Sequence, residues 1–412
     1  MELKEVVVVE AVRTPTGRSG WAGAAKGGVF SDVSAKNLLV AALRGLVDRV
    51  KERAPGFDEV QIEDVAVGCL SQIGEQGLNV GRVGLLAADF PEEVAGWTVN
   101  RYCNAGLQAI NSQAHALMCG AGDIAVAAGV ENMSHYGMGS DLQAAMQAGM
   151  SVTLHPRAIE RAALAPMGVS AQMLADRYNL DREDMDRFAL WSHQKAVLSM
   201  RDEDNYRKRV VPVEVDGEDG EKKLVEFDEP PRMQAVDDPD AALAKIASLP
   251  PRFRDDGTVT AATSSAIVDG AAAVMLMTAE KAEELGLEPM VRIISTSVAG
   301  SEPLIMLLGP VPAMHKVLDR AHMTMDDMDV FEPNEAFVPP VLAFCTEFGI
   351  EFDDPRINPT GGACAIGHPI GCTGVLYFTE MVHYMIRNGL KYGLQTLCGG
   401  GGVGIATIVE TV

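Results

Sequence analysis

The chain is poor in basic residues and in aromatics. It carries 34 Lys and Arg against 57 Asp and Glu, and its formal net charge is −23. A field of that sign repels phosphate backbones and anionic bilayers, so nucleic-acid binding and membrane-surface binding are excluded as leading readings. Aromatic residues make up only 5%. No apolar run reaches the length needed to span a bilayer, so membrane insertion is not expected. Seven cysteines spread over 412 residues do not form a disulfide framework. No signal peptide or transit peptide is visible, because Met1-Glu2-Leu3-Lys4 leads straight into the strand-like Glu5-Val6-Val7-Val8-Val9-Glu10. The end at Val409-Glu410-Thr411-Val412 carries no peroxisomal address, and a reducing, cytoplasmic location is expected.

What is present is an ordinary globular composition, 47% hydrophobic and 22% charged, on a chain long enough for two or three domains. Apolar strand-like runs (Val6 to Ala11, Asp64 to Leu70, Asp123 to Gly129) alternate with amphipathic patterns (Ser34 to Ala54, Val83 to Ala88). That alternation predicts an α/β layer with a mostly parallel sheet. From about His135 to Asp256 the chain changes character. It has helical patterns from Ser170 to Tyr178 and from Arg182 to Ala196, a polar turn at Asp216 to Gly220, and no long strand. This reads as an inserted, surface-lying domain. The alternation resumes after Gly257, with strands predicted at Asp269 to Met277 and Val291 to Ser297.

Cys103 follows an apolar run and precedes Leu107, Ile110, Ala114 and Leu117, one face of a helix. A thiol at such a strand-to-helix turn meets free N–H groups and the positive end of the helix dipole, and a lowered pKa would make it a nucleophile. The bland alternative is a small apolar core residue. Two further segments weigh against that alternative. They are Asn358-Pro359-Thr360-Gly361-Gly362-Ala363-Cys364-Ala365-Ile366-Gly367-His368-Pro369 and Cys398-Gly399-Gly400-Gly401-Gly402.

Cys103 in its setting, Asn334-Glu335-Ala336-Phe337, Gly367-His368-Pro369 and Cys398-Gly399-Gly400 occur in the order found in thiolases. The chain resembles a type I thiolase over nearly its whole length, from Ala11-Val12-Arg13-Thr14-Pro15 to Ile405-Ala406-Thr407-Ile408. The resemblance implies a five-layered α-β-α-β-α core made of two similar halves with an inserted loop domain. Residues 1–134 with 265–290 would form the first half, 135–264 the insert that binds coenzyme A (CoA), and 291–412 the second half. It further implies that Cys103 carries the acyl group, that His368 is the base toward Cys103 and toward CoA, and that Cys398 is the second acid/base. The backbone N–H groups of Cys103 and Gly400 would serve one oxyanion, and Asn334 with His368 a second. Arg232, Ser265, Met167 and Phe337 match positions that contact CoA or the acyl group. CoA is a substrate here, no cofactor or metal is expected, and a CoA site would need a local cationic patch against the global field. A homodimer or homotetramer is expected, and a β-oxidation partner with hydratase and dehydrogenase activities is compatible with the resemblance.

Some competing readings carry less. Cys364, His368 and Cys372 recur every four residues, but Pro369 and the glycines break the helix that metal ligation would require. The run Gly399 to Gly402 lacks the lysine of a phosphate loop. Cys69, Cys119 and Cys345 read as core, and His193 as structural. Many acetoacetyl-CoA thiolases carry histidine where this chain has Pro166, and Gly-Asn where it has Ala262-Thr263. Both departures lean toward a 3-ketoacyl-CoA thiolase of fatty-acid β-oxidation. The alternatives are a biosynthetic acetoacetyl-CoA thiolase and a non-catalytic, acyl-CoA-binding subunit.

Overall fold

A computed structural model describes residues 3–20, 27–151, 155–161, 165–217 and 220–412. Its strands are β1 (Val6–Arg13), β2 (Gly17–Arg18), β3 (Asp64–Gly68), β4 (Ala95–Val99), β5 (Ile124–Glu131), β6 (Val213–Asp216), β7 (Lys222–Val225), β8 (Val268–Thr278), β9 (Val291–Gly300), β10 (Val330–Pro333), β11 (Tyr392–Gly399) and β12 (Val403–Thr411). The main sheet runs β10-β11-β12-β9-β1-β8-β5-β3-β4, and β2 pairs with β8 off this path.

That order repeats itself outward from the β9/β1 seam. On each side the first strand pairs antiparallel with the last (β1 with β8, β9 with β12). The last then pairs antiparallel with its predecessor (β5, β11), which lies parallel to an earlier strand (β3, β10). The seam itself is short: Val7 pairs with Arg292 and Val8 with Val291.

Strand side chains alternate between faces, so each sheet can be covered twice. Val7, Val9 and Val12 pack with the Ala35–Arg53 helix, whereas Val6, Val8 and Ala11 pack with the Ala105–Met118 and Thr373–Asn388 helices. Leu397, Ile405 and Val409 of the second half share that middle cluster. Leu394, Ala406 and Ile408 face away, toward the Pro310–Ala321 and Val338–Phe348 helices. The result is five layers, α-β-α-β-α, with two helices from different halves in the middle.

These two helices meet backbone to backbone at their N-termini. A Cβ on Gly374 would lie 2.1 Å from the Leu107 nitrogen, and one on Gly106 would lie 2.9 Å from the Gly371 oxygen. Only glycine permits this approach, and it sets the His368 loop beside the Cys103 turn.

The middle segment is mostly helical, with the short β6/β7 hairpin. Part of the predicted 216–220 turn lies outside the described residues. Arg13 of β1, fully buried, ties this segment to the core. Its Nη1 and Nη2 each donate to Asp228 at 2.8 Å, and its Nε donates to Glu380 at 2.7 Å. Arg209 donates to the same Glu380 oxygen at 2.7 Å, and the Tyr206 hydroxyl to Asp228 at 2.9 Å. Burial alone would raise the Glu380 carboxyl, but Arg209 and Arg13 outweigh it and hold it at about 2. Among the described residues no helix is long and apolar enough to cross a membrane. Cys69 and Cys345 are buried as expected, but Cys119 is exposed. It caps the Ala105–Met118 helix, where the chain turns outward into a left-handed Gly120.

Candidate active site

Cys103 sits where the sequence pattern put it, between β4 and the Ala105–Met118 helix. Tyr102 just before it takes a left-handed backbone (φ 52°), an uncommon conformation for a bulky residue, and so turns the thiol inward while its own ring stays half exposed. Cys103 itself is 3% exposed.

Cys398 ends β11 and is 1% exposed. The two cysteines are held together through their neighbours. With its amide nitrogen turned toward the strand, Asn104 donates to the Cys398 oxygen at 2.8 Å and the Leu397 oxygen at 3.1 Å. The Gly400 N–H favours the Cys103 thiolate. Gly401 and Gly402 have φ of 74° and 81°, which glycine adopts without strain, so the chain curls back over the site.

The expected stabilised thiolate is not what the surroundings produce. Burial pushes the Cys103 thiol well above its ordinary value, the neighbouring Cys398 adds to this, and Glu131 also raises it. The N–H groups of Cys103 and Gly400 pull the other way and do not prevail. Burial likewise pushes Cys398 up to about 12. Desolvation wins: it is the largest influence on both sulfurs, ahead of the two N–H groups at Cys103. Both thiols are neutral at rest, and a base must make the thiolate when it is needed.

His368 can be that base. Its loop is pinned at several points. The His368 N–H donates to the Ala266 oxygen at 2.9 Å, and the Tyr377 hydroxyl to the Gly367 oxygen at 2.7 Å. Glu131 accepts from the Gly371 and Leu70 N–H groups, each at 2.9 Å, and from the Ser71 N–H at 3.0 Å. The ring Nδ1 lies 2.6 Å from the Thr373 hydroxyl, while Nε2 is buried without a hydrogen-bond partner. Burial lowers the imidazole to about 4, so at pH 7 it is neutral and able to accept a proton, though a weaker base than a solvated imidazole. Asn334, just after β10, is equally unspent: both ends of its buried amide lack partners. Such groups cost free energy unless something else satisfies them, and a substrate oxygen would.

Apolar contacts close the site. Cys103 clusters with Met133 and Ile370, and Cys398 with Ala336, Ile305, Met306 and Leu307. Met167 packs against both clusters, and Phe337 against that of Cys398. Glu335 was not singled out from sequence, although a carboxylate between Asn334 and Ala336 was the available signal. It organises the neighbouring loop, accepting from Ser192 at 2.7 Å, the Cys364 N–H at 3.0 Å and Asn358 at 2.7 Å.

A cleft of about 660 Å³ is lined by Arg18, His193, Arg232, Lys245, Ser264 and Cys364 among others. Its lining includes three cations and no carboxylate, the local patch that the global charge demands of an anion site. Arg232 lies on this cleft; Met167 and Phe337 lie instead beside the cysteines. Ser265 does not line it, although its neighbours Ser264 and Ala266 do, because its N–H is turned to the Ala336 oxygen at 3.1 Å. His193, read from sequence as structural, faces the cleft, and its Nδ1 accepts the Arg232 N–H at 3.3 Å. Burial, with Arg232 and Arg18 adding to it, lowers His193 to about 4.

The family model "Thiolase, N-terminal domain" matches residues 6–280, and "Thiolase, C-terminal domain" matches residues 287–411. A 3-ketoacyl-CoA thiolase of Marinomonas sp. (strain MWYL1) is 40% identical over 415 residues, covering 99% of this chain and 98% of that one. A 3-ketoacyl-CoA thiolase of Yersinia enterocolitica is also 40% identical, over 100% of both chains. The crystal structure of the Bacillus anthracis acetyl-CoA acetyltransferase superposes with a TM-score of 0.84 at 33% identity, over 100% of both chains. With the matched residues spanning both halves and both cysteines, the chain belongs to the thiolase family.

Proposed function

We propose that this chain is a 3-ketoacyl-CoA thiolase, cleaving 3-ketoacyl-CoA with CoA to acetyl-CoA and an acyl-CoA shortened by two carbons. The observation that carries this reading is that two buried cysteines act on one another, with Ile370 of the His368 loop packed against Cys103 and Ala336, two residues from Asn334, packed against Cys398; the His368 Nε2 and the Asn334 amide are unpartnered among the described residues. The full-length likeness to proteins named 3-ketoacyl-CoA thiolase supports it.

In this mechanism His368 takes the Cys103 proton and the thiolate attacks the 3-keto carbon. The developing oxyanion is met by hydrogen-bond donors in a dry site, where they are most effective. The bond between carbons 2 and 3 then breaks. Its electron pair leaves as the acetyl-CoA enolate, which Cys398 protonates. The His368 proton passes to the Cys398 thiolate, CoA enters, His368 takes its thiol proton, and the CoA sulfur displaces Cys103 from the acyl group; Cys103 leaves as a thiolate and regains its proton from His368. A thiol pushed up to about 12 by burial suits Cys398, because it gives its proton only to a strongly basic carbon. Arg18, Arg232 and Lys245 would hold the phosphates of CoA in the cleft.

Pro166 favours longer substrates. It precedes the Met167–Arg177 helix and offers no side-chain hydrogen-bonding group beside Met167, which packs against both cysteine clusters. CoA-dependent cleavage of 3-ketoacyl-CoAs from four to sixteen carbons, followed by loss of the magnesium–enolate absorbance, tests the proposal. Cleavage that persists beyond four carbons is expected. Activity confined to acetoacetyl-CoA would favour the biosynthetic assignment, and none at any length would sink the thiolase reading. Light scattering tests the expected homo-oligomer; a mass of one subunit contradicts it.

A further inference from the structure

We infer that Thr373 is a positioning residue whose hydroxyl lets His368 alternate between proton acceptor and hydrogen-bond donor at Nε2. The inference rests on the reaction proposed above.

The geometry is specific. Thr373 is fully buried, and its Oγ1 lies 2.6 Å from the His368 Nδ1 and makes no other hydrogen bond among the described residues. Its own N–H donates to the Pro369 oxygen at 3.0 Å, so the first turn of the Thr373–Asn388 helix holds the hydroxyl against the ring. The other ring nitrogen has no partner. One hydroxyl therefore governs the whole imidazole.

A hydroxyl differs here from every other common partner of a histidine. A carboxylate or a carbonyl can only accept, which fixes the proton on Nδ1 and leaves Nε2 a lone pair. An N–H can only donate, which fixes the proton on Nε2. A hydroxyl does both, by rotation about one bond. When Thr373 donates to Nδ1, the free Nε2–H points at the site and can serve the carbonyl oxygen beside Asn334. When Nδ1–H donates to Thr373, Nε2 is a base. After His368 has taken a thiol proton, both nitrogens carry hydrogen, and Nδ1–H still donates to Oγ1. The proposed reaction needs all three states: acceptor for the Cys103 and CoA thiol protons, donor to an oxyanion, and imidazolium between. Within turnover one proton moves, from sulfur to Nε2; the two neutral forms interchange only by losing the Nδ1 proton to water and gaining one at Nε2, between turnovers.

The test compares Thr373→Val, which keeps the shape and removes the hydroxyl, with Thr373→Ser, which keeps the hydroxyl. Three readouts are taken on the full chain: 15N shifts of the His368 ring, assigned against His368→Gln; the rate of Cys103 alkylation by iodoacetamide; and thiolysis kinetics. In Thr373→Val the ring shifts move away from those of the unaltered protein and alkylation slows. In the same variant kcat falls on the order of 10- to 100-fold with KM for CoA unchanged. Thr373→Ser restores all three to within about threefold. Should Thr373→Val fail to fold by circular dichroism, Thr373→Ala carries the same comparison. Unchanged ring shifts and kcat in the hydroxyl-free variant would overturn the inference. So would a Thr373→Ser variant impaired as badly as Thr373→Val, which would make the role one of packing. If the unaltered chain cleaves no 3-ketoacyl-CoA, the functional proposal fails, while ring shifts and alkylation still decide the role of Thr373.

Discussion

At the scale of single residues, chemistry was legible in sequence and protonation was not. Cys103, His368, Cys398 and Asn334 could be picked out because short glycine-rich motifs surround them. The state of Cys103 could not be read, because it depends on how completely the turn is buried, a property of the packed chain. The same holds for His193, whose place on the cleft comes from its contact with Arg232, 39 residues away. Replacing Cys103 with serine should lower kcat by at least about 10³-fold, since a buried hydroxyl is a far poorer nucleophile than a thiol paired with a base. Mass spectrometry should then find no acylated chain after mixing with substrate; turnover near that of the unaltered protein would refute the covalent route. Arg232→Ala should raise KM for CoA by roughly 10-fold with little change in kcat, as expected for a group that binds ground state and transition state alike. Steady-state kinetics at varied CoA decides this, and a drop in kcat alone would place Arg232 elsewhere in the mechanism.

At the scale of elements, hydrophobic period located the strands but not their direction: the sheet expected to be mostly parallel is mixed, with only β3/β4, β3/β5 and β10/β11 parallel, because the last strand of each half returns antiparallel. The run from Val268 to Thr278 is buried on both faces, and an unbroken apolar sequence is what such a strand requires. Boundaries moved where caps decide them: the helix read from Val83 begins at Val80, because Asn79 accepts from the Arg82 N–H. The segment Val338-Pro339-Pro340 follows Phe337. In the fold the prolines occupy the first turn of a helix, where no N–H is missed. Glycine contacts between helices were invisible, because sequence does not say which glycine meets which. They predict that Gly374→Ala, ordinarily favourable in a helix, destabilises by about 1–3 kcal/mol through overpacking against Leu107. It should also lower kcat by parting the His368 loop from the Cys103 turn. Urea unfolding and thiolysis rates check both; a variant as stable and as active as the parent would mean the helices can slide apart without cost.

At the scale of the whole molecule, the insert is joined to the core by the buried Arg13 cluster, which joins residues 215 and 367 positions apart in the chain and could not be read from sequence. Arg13→Met should cost about 3–5 kcal/mol, because it leaves buried Asp228 with no cation and Glu380 with Arg209 alone; a smaller loss in urea titration would show that the cluster is dispensable. Buried histidines add an acid liability. Burial holds His383 at about 4, below its ordinary 6.5, so the unfolded chain binds its proton first as pH falls. Stability tied to this group is full above pH 6.5 and lost between 6.5 and 4, by on the order of 3 kcal/mol. His383→Gln, which can still donate to the Ala11 oxygen, should flatten that part of the pH–stability curve; an unchanged slope would show that the ring is not protonated on unfolding. The mirrored strand order has one further consequence. Each half supplies a single helix to the shared middle layer, so an isolated N-terminal half would bare the Gly106-Leu107 turn that meets Gly374. During synthesis that raw face must wait for more than a hundred further residues to emerge, which makes the nascent chain a natural client for chaperones and leaves the enzyme's assembly hostage to its final strand.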